Sequence, residues 1–231
     1  MIALIRLYPG NKEDAQEIWK YIEERVGNAP RKGIKSLFIS MQSKATFVSL
    51  FVQAEDVESV GDLLVNEIGG CKHIVDTRTF PLLKFAFLPT PKKKVEKAKR
   101  YSIMIKTKPS EYYRVYKEVL DIRPSQDAFI GFVGFLLGDY DVLVSLVSNS
   151  QKRAEEFARD RLSQIKGVED IRIFPIKKSQ LLISLDEWRM FQRALLFVPS
   201  WITDEIKDEF AFGSYMTDED IHLSGAMKDE A

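Results

Sequence analysis

The sequence predicts an α+β protein made of two similar halves, and two features of the chain lead to this prediction. The first is an internal repeat, in which three blocks of one half match three blocks of the other. The matching blocks are IVDTRTFPLLK (74–84) with VEDIRIFPIKK (168–178), FVSLF (47–51) with LVSLV (143–147), and LIRLYPG (4–10) with MIKTKPS (104–110). The second feature is the order of hydrophobic patterns, which is strand, helix, strand, strand, helix, strand in each half.

Local signals place the elements within each half. In the second half, YSIMIKT is a strand, Pro109 begins a helix, and residues 127–137 and 140–148 form a hairpin. Polar residues before each apolar stripe mark the helix starts, and a glycine after the last stripe marks a helix end. The predicted caps are Asn11 and Ser150, and the predicted helix end is Gly167.

This order of elements, occurring twice, is that of two tandem ferredoxin-like βαββαβ units. The strands at 129–137 and 142–147 are apolar on both faces, whereas a sheet with one wet face alternates. Because two helices cover only one face of a four-stranded sheet, the other face needs a second sheet. We therefore expect two antiparallel sheets packed face to face, as in a dimeric α/β barrel whose protomers have been fused.

The repeats divide the chain into four predicted segments. The first repeat spans 1–88, a basic linker spans 89–100, and the second repeat spans 101–179. Residues 180–231 lie outside the repeats and are predicted to form a C-terminal helix at 185–198, followed by an acidic tail. Apolar residues within that tail, such as Trp201, indicate that a partner protein or a sister chain covers it.

Composition excludes several classes of protein. The 34 Lys and Arg residues balance 34 Asp and Glu residues, which argues against a protein that coats a phosphate backbone. With the single Cys71 and only two histidines, no disulfide, metal site or cofactor ligand set is predicted. We interpret Cys71 and His73 as structural or surface residues.

The sequence has no pattern typical of a signal peptide and no membrane-spanning stretch, so a cytoplasmic location is predicted. The high Lys and Glu content is typical of a thermophilic source.

The turn GDYD, within FLLGDYDVLVSLV, is the candidate binding site. Gly138 suits the first central position of a two-residue hairpin loop, where φ is positive, which explains the glycine structurally. Asp141 enters an apolar strand, where a carboxylate is costly unless it is paired. A ligand's ammonium group, a backbone group or a neighbouring arginine would each satisfy it, and Tyr140 is either a packed ring or a ligand contact.

From this turn onward, residues 138–179 resemble the effector-binding domain of the Lrp/AsnC family of regulators. The resemblance depends on the Gly-x-Tyr-Asp turn, the β-branched strand after it, the helix of Phe157 and the Gly-Val before the last strand. It implies a regulatory protein without enzymatic activity, which binds a small effector, usually an amino acid, through Gly138, Tyr140 and Asp141. It also implies oligomers or a protein partner.

Two departures from that family qualify the resemblance. Met1 leads directly into the first strand, where DNA-binding members carry a helix-turn-helix, so we expect no sequence-specific DNA binding by the protein itself. The first repeat has QSKAT at 42–46 where the second has GDYDV, and Ala45 stands at the position of Asp141.

Two other functions are compatible with a ferredoxin-like fold, but the sequence supports each of them less well. One is an RNA-associated protein, since IGFVGF at 130–135 resembles an aromatic RNA-binding box, but that box lies on the wrong strand and lacks a basic residue. The other is a degenerate α/β-barrel enzyme, but the sequence offers no clear axial ligand or general base for it.

The pairs Asp76 with Arg78 and Asp170 with Arg172 are predicted to be ion pairs at strand edges.

Overall fold

The computed structural model describes residues 1–27 and 32–212 of the 231-residue chain. These residues form two compact units, which we call unit 1 and unit 2. Among the described residues, unit 1 consists of Met1–Leu82 and Ile176–Trp188, and unit 2 consists of Leu83–Pro175 and 189–212.

The first half of the chain has the predicted order of strands and helices. Its elements are β1 (Ile2–Pro9), α1 (Asp14–Tyr21), β2 (Ile34–Gln42), β3 (Val48–Ala54), α2 (Val57–Asp62) and β4 (Ile74–Phe87). Helix α1 continues as a wider π-helical segment over Ile22–Gly27, and α2 continues in the same way over Leu63–Glu67.

The second half repeats this order and is followed by a C-terminal extension. Its elements are β5 (Thr90–Pro91), β6 (Lys99–Thr107), α3 (Tyr112–Leu120), β7 (Ala128–Leu136), β8 (Val142–Ser148), α4 (Gln151–Phe157), β9 (Val168–Leu181), α5 (Leu185–Ala194) and β10 (Phe210–Ala211). The α+β class is therefore confirmed, while the packing of two sheets face to face stays a prediction.

Each unit is built on an antiparallel sheet. In unit 1 the strand order is β4–β1–β3–β2–β9, and in unit 2 it is β9–β6–β8–β7–β4. The long strands β4 and β9 contribute to both units, because residues 83–87 of β4 belong to unit 2 and residues 176–181 of β9 belong to unit 1. Each sheet therefore includes a strand segment that comes from the other half of the sequence.

The core of unit 1 lies between its sheet and its helices. Alternate residues of β1, Ala3, Ile5 and Leu7, point to the helix side and pack with Ile18 of α1. This alternation follows from the two-residue period of a strand. Burying each large apolar side chain stabilises the fold by about 1.5–3 kcal/mol, so this side of the sheet holds the helices in place.

Unit 2 has an equivalent core and confirms the predicted cap at Ser150. Ile103 and Ile105 of β6 pack with Val115 of α3. The Ser150 Oγ accepts a hydrogen bond from the Arg153 N–H (3.3 Å), which satisfies one of the open N–H groups at the start of α4.

In the first half, Asn11 lies in the turn that precedes α1, and Glu13 is the N-cap residue of the helix. Asn11 Oδ1 accepts hydrogen bonds from the N–H groups of Glu13 (2.9 Å) and Asp14 (3.0 Å), so it closes this turn two residues ahead of the N-cap, and its predicted role as N-cap is wrong. The predicted helix end at Gly167 is wrong, because the helical segment ends at Leu162; Gly167 has a φ of 96° and lies in the turn just before β9.

The hairpin between β7 and β8 has a longer loop than predicted. Gly138 has the expected positive φ, 141°, but the loop is closed by the Leu136 N–H donating to the Asp141 carbonyl (2.8 Å). Four residues lie between this closing pair, so the prediction of a two-residue turn is wrong. The physical reason is that the Asp141 N–H donates to the Ile105 carbonyl (2.9 Å), which holds Asp141 in register with the neighbouring strand.

The C-terminal extension is described as far as residue 212. Helix α5 is shorter than the predicted helix at 185–198, and Trp188 on it is fully buried. Strand β10 pairs with β5, and the Trp201 and Phe210 rings lie 5.4 Å apart. The remainder of the predicted acidic tail lies outside the described residues. Among the helices that the structure describes, none has the length and apolar character needed to cross a membrane.

Candidate functional site

The predicted effector turn places Asp141 in contact with its own chain. The residue is 5% exposed, and its Oδ2 accepts hydrogen bonds from the N–H (2.8 Å) and the Oγ1 (3.4 Å) of Thr107. The Lys106 Nζ lies 3.5 Å from the same oxygen. The buried carboxylate of Asp141 is therefore satisfied by groups of the protein itself, which is one of the alternatives that the sequence left open.

The other two residues of the predicted site also have structural partners. Gly138 supplies the positive φ of the loop, and the Tyr140 ring lies 5.7 Å from the Arg172 guanidinium carbon. A ligand role for Gly138, Tyr140 and Asp141 stays a prediction, and the geometry of the turn is explained without a ligand.

Unit 1 has a different arrangement on the face of its sheet that points away from the helices. Two cationic and three aromatic side chains form a chain of contacts there, and we call them the arginine–aromatic ladder. Its members, in spatial order, are Arg78, Tyr8, Phe47, Arg6 and Phe80. The successive separations are 5.6 Å from Arg78 to Tyr8, 6.0 Å from Tyr8 to Phe47, 4.3 Å from Phe47 to Arg6, and 5.6 Å from Arg6 to Phe80.

Arg6 is the central cation of the ladder. It lies in β1 between Ile5 and Leu7, which point to the helix side, so its own side chain points to the opposite face. The residue is only 4% exposed. Burial of a charge is costly unless other groups compensate, and the face of an aromatic ring attracts a guanidinium. The rings of Phe47 and Phe80 thus help to make Arg6 tolerable at this position.

The strand register brings the second arginine and two hydroxyl groups to the same face. Arg6 is the direct cross-strand partner of Ser49 on β3 and of Arg78 on β4. Ser40 on β2 is in turn the partner of Ser49. Both serines are buried, whereas the Arg78 side chain is 54% exposed. The face therefore combines guanidinium and hydroxyl donors with flat apolar rings, which suits a flat molecule with polar substituents.

The charged pairs predicted at the strand edges are present. The Arg78 Nε lies 3.8 Å from Asp76 Oδ2, and the Arg172 Nε lies 3.4 Å from Asp170 Oδ2. All four side chains are more than half exposed, so these pairs add little to stability.

His73 and Cys71 lie elsewhere in unit 1. The His73 Nδ1 is 2.7 Å from Asp14 Oδ1, which connects the start of β4 to the start of α1, and Cys71 is a buried thiol. The described residues contain no group of three or more His, Cys, Asp or Glu side chains that could hold a metal ion. His222 lies outside the described residues.

The sequence interpretation missed Arg6, although a signal for it was present. In the strand IALIRLYP, Arg6 is the one charged residue, and the argument that directed attention to Asp141 applies equally to it. Its aromatic neighbours could not be inferred in the same way. Phe47 directly precedes β3 and Phe80 lies in β4, and both reach Arg6 only because β1 pairs with these two strands.

Comparisons with known proteins identify the type of fold. No protein-family model and no curated protein matches the chain. Among solved structures, an anthrone oxidase-like protein is similar with a TM-score of 0.52 and 9% identity, over 79% of this chain and 93% of that one. Siroheme decarboxylase NirDL is similar with a TM-score of 0.53 and 7% identity, over 84% of this chain and 78% of that one.

A complex of NirDL with an iron-uroporphyrin III analogue is also similar, with a TM-score of 0.52 and 8% identity, over 77% of this chain and 71% of that one. At such low identities the likeness shows the fold alone, which is ferredoxin-like.

These comparisons correct the predicted family. The similar structures are an oxidase-like protein and a decarboxylase, and not effector-binding domains of regulators, so the assignment to the Lrp/AsnC family is wrong. The predictions of an amino-acid-sensing transcriptional regulator and of a protein without enzymatic activity are wrong on the same finding.

The resemblance misled for a physical reason. Gly138 adopts a positive φ in the loop, and Asp141 accepts hydrogen bonds from Thr107. Phe157 packs in the core of unit 2. These are structural needs of a ferredoxin-like unit with a buried hairpin. Residues that meet such needs identify the fold and carry little information about the ligand.

Proposed function

We propose that the protein is an enzyme that acts on a planar, conjugated small molecule bound against the arginine–aromatic ladder of unit 1. The observation that carries this proposal is the chain of contacts between two guanidinium groups and three rings from Arg78 to Phe80. Aromatic rings favour flat apolar ligands, and the arginine donors orient polar substituents.

The similar structures support the same class of ligand. One is an anthrone oxidase-like protein, and another is a siroheme decarboxylase, solved also with an iron-uroporphyrin III analogue. Their names refer to anthrone, which is tricyclic, and to siroheme and uroporphyrin III, which are tetrapyrroles. These ring systems are flat and conjugated. We propose that the reaction here is likewise the oxidation or the decarboxylation of such a ring system.

Binding is tested by titrating the protein with two probes, anthrone and uroporphyrin III, while following probe absorbance and fluorescence. We expect saturable binding of at least one probe. Tyr8→Leu, which removes a ladder ring but keeps an apolar side chain, should weaken that binding. The matched control is Tyr113→Leu, since Tyr113 is an exposed ring of unit 2 that stacks with Lys84. Equal effects of the two variants would contradict a site on the ladder.

Turnover is tested by incubating the protein with the bound probe and analysing the products by mass spectrometry. The proposal expects a gain of oxygen or a loss of carbon dioxide that depends on the protein and decreases in Tyr8→Leu. A protein that binds the probe but never alters it, with or without air, would overturn the enzyme assignment.

We further propose the finer architecture that the repeat predicts, in which two βαββαβ units are arranged in tandem with facing sheets. The matching element order of the two halves supports it. An experimental structure in which either sheet had one face in water would contradict it.

A further inference from the structure

The arginine–aromatic ladder contains two like charges in register. Arg6 and Arg78 are direct partners on neighbouring antiparallel strands, and both side chains lie on the face away from the helices. Directly opposite residues have Cβ atoms about 4.5–5.5 Å apart, and like charges in this position destabilise a sheet. The pairing of Arg6 with Arg78 is therefore expected to lower the stability of unit 1.

We propose that Arg6 and Arg78 together bind a carboxylate of the substrate, so that the enzyme acts on a planar conjugated acid. This inference deepens the proposed function and depends on it. Both arginines have other contacts within the protein, and a carboxylate would add to them, since each guanidinium carries five N–H donors. A negative charge between the two groups would offset their mutual repulsion.

The gradient of exposure along the ladder fits this role. The Arg78 side chain is half exposed, whereas Arg6 lies deeper on the same face and is buried. A carboxylate can therefore meet Arg78 first and reach Arg6 while its ring system packs on Phe47 and Tyr8. Arginine suits this task better than lysine because its planar fork matches the two oxygens of a carboxylate and also stacks on rings.

The second repeat shows the contrast. The sequence repeat aligns Lys106 with Arg6, but the Lys106 Nζ lies 3.5 Å from Asp141, an acidic residue of the same unit. The first repeat has Ala45 at the position of Asp141, so no carboxylate enters from that turn. The cation of unit 2 thus lies next to a carboxylate from its own hairpin loop, whereas the equivalent turn of unit 1 supplies none.

The test compares two probes with the same ring system, anthraquinone-2-carboxylate and its neutral carboxamide, by calorimetry on the full chain. A charge-assisted hydrogen bond is worth about 1.5–3 kcal/mol, so the acid should bind about tenfold to a hundredfold more tightly than the amide. Arg6→Gln and Arg78→Gln should each remove most of that preference. The matched control is Arg172→Gln, the equivalent arginine of the second repeat, which should leave it unchanged.

Each outcome has a defined meaning. Equal affinity for acid and amide in the unaltered protein would overturn the carboxylate inference while leaving the proposed function intact, and binding of neither probe would count against both. If Arg6→Gln does not fold, the exposed Arg78→Gln decides: an unchanged acid preference there overturns the inference, and a lost preference supports it.

Discussion

Asp141 and Arg6 are two charged residues buried in the folded chain, and their surroundings differ. Asp141 receives two hydrogen bonds from Thr107 and lies near Lys106, so its carboxylate is held by its own unit. Arg6 lies over the rings of Phe47 and Phe80, which attract a cation, and it has further contacts within the protein. At the scale of single residues, the first arrangement stabilises a turn and the second can recognise a ligand.

We expect Asp141→Asn to lower the free energy of unfolding by about 1–3 kcal/mol, because the variant loses a charge-assisted acceptor in a buried position. Chemical denaturation followed by circular dichroism measures the change. Asp139→Asn, in the exposed part of the same loop, is the control and should change stability by less than about 0.5 kcal/mol. A stable Asp141→Asn protein that had lost binding of an amino acid would instead favour the original ligand interpretation.

Ala45 is a second residue with a testable local cost. Its φ is 55°, in the left-handed region, where a side chain costs about 1–2 kcal/mol relative to glycine. Ala45→Gly should therefore raise stability by about 0.5–1 kcal/mol after the added entropy of the unfolded chain is subtracted. Thermal unfolding tests this, with Ala98→Gly as an exposed loop control that should give no gain. A loss of stability in Ala45→Gly would contradict the assigned strain.

At the scale of elements, polar side chains define where turns and helices begin. Gln42 Oε1 accepts hydrogen bonds from the Lys44 N–H (2.9 Å) and the Thr46 Oγ1 (2.9 Å), which fixes the turn after β2. The start of α5 has a reciprocal cap, in which the Glu187 N–H donates to Ser184 Oγ and the Ser184 N–H donates to Glu187 Oε2.

Glu187 gives a pH-dependent prediction. Its hydrogen bonds from Lys35 and Ser184 lower its pKa from 4.5 to about 2. Because the folded pKa is the lower one, this contribution to stability is present above about pH 4.5 and is lost as the pH falls towards about 2. Glu187→Gln should remove that part of the acid dependence of unfolding, whereas Glu96→Gln, in an exposed loop, should not. Identical pH profiles for Glu187→Gln and the unaltered protein would refute the assignment.

At the scale of the whole molecule, the two halves of the sequence are not the two compact units. Residues 176–181 of β9 pair with β2 in unit 1, and residues 83–87 of β4 belong to unit 2. Unit 1 also includes Trp188, whose ring lies 5.5 Å from Phe38. Each unit thus needs a segment supplied by the other half of the chain.

This exchange of segments predicts how a cut chain behaves. A protease site inserted near residue 95, in the exposed loop between β5 and β6, should give two fragments that stay together after cleavage. Separate expression of residues 1–88 should give a less stable and less soluble product, because the edge of β2 loses its partner strand. Size-exclusion chromatography measures both effects. Fragments that separate and unfold cooperatively on their own would contradict this prediction.

The sequence by itself determined the features that depend on local patterns. The order of strands and helices, the cap at Ser150, and the positive φ at Gly138 all follow from short-range periodicity and turn chemistry. The internal repeat showed that the pattern occurs twice. These features are local because hydrogen bonding within a helix or turn joins residues only a few positions apart.

The tertiary structure alone decided which charges meet which partners. Arg6 reaches Phe47, Phe80 and Arg78 because three strands pair in one register, and a shift of one residue would turn each side chain to the other face. Sequence spacing carries no record of that register. The Gly-x-Tyr-Asp turn was visible in the sequence and proved to be held by its own unit, while the arginine–aromatic ladder arises only when distant strands come together.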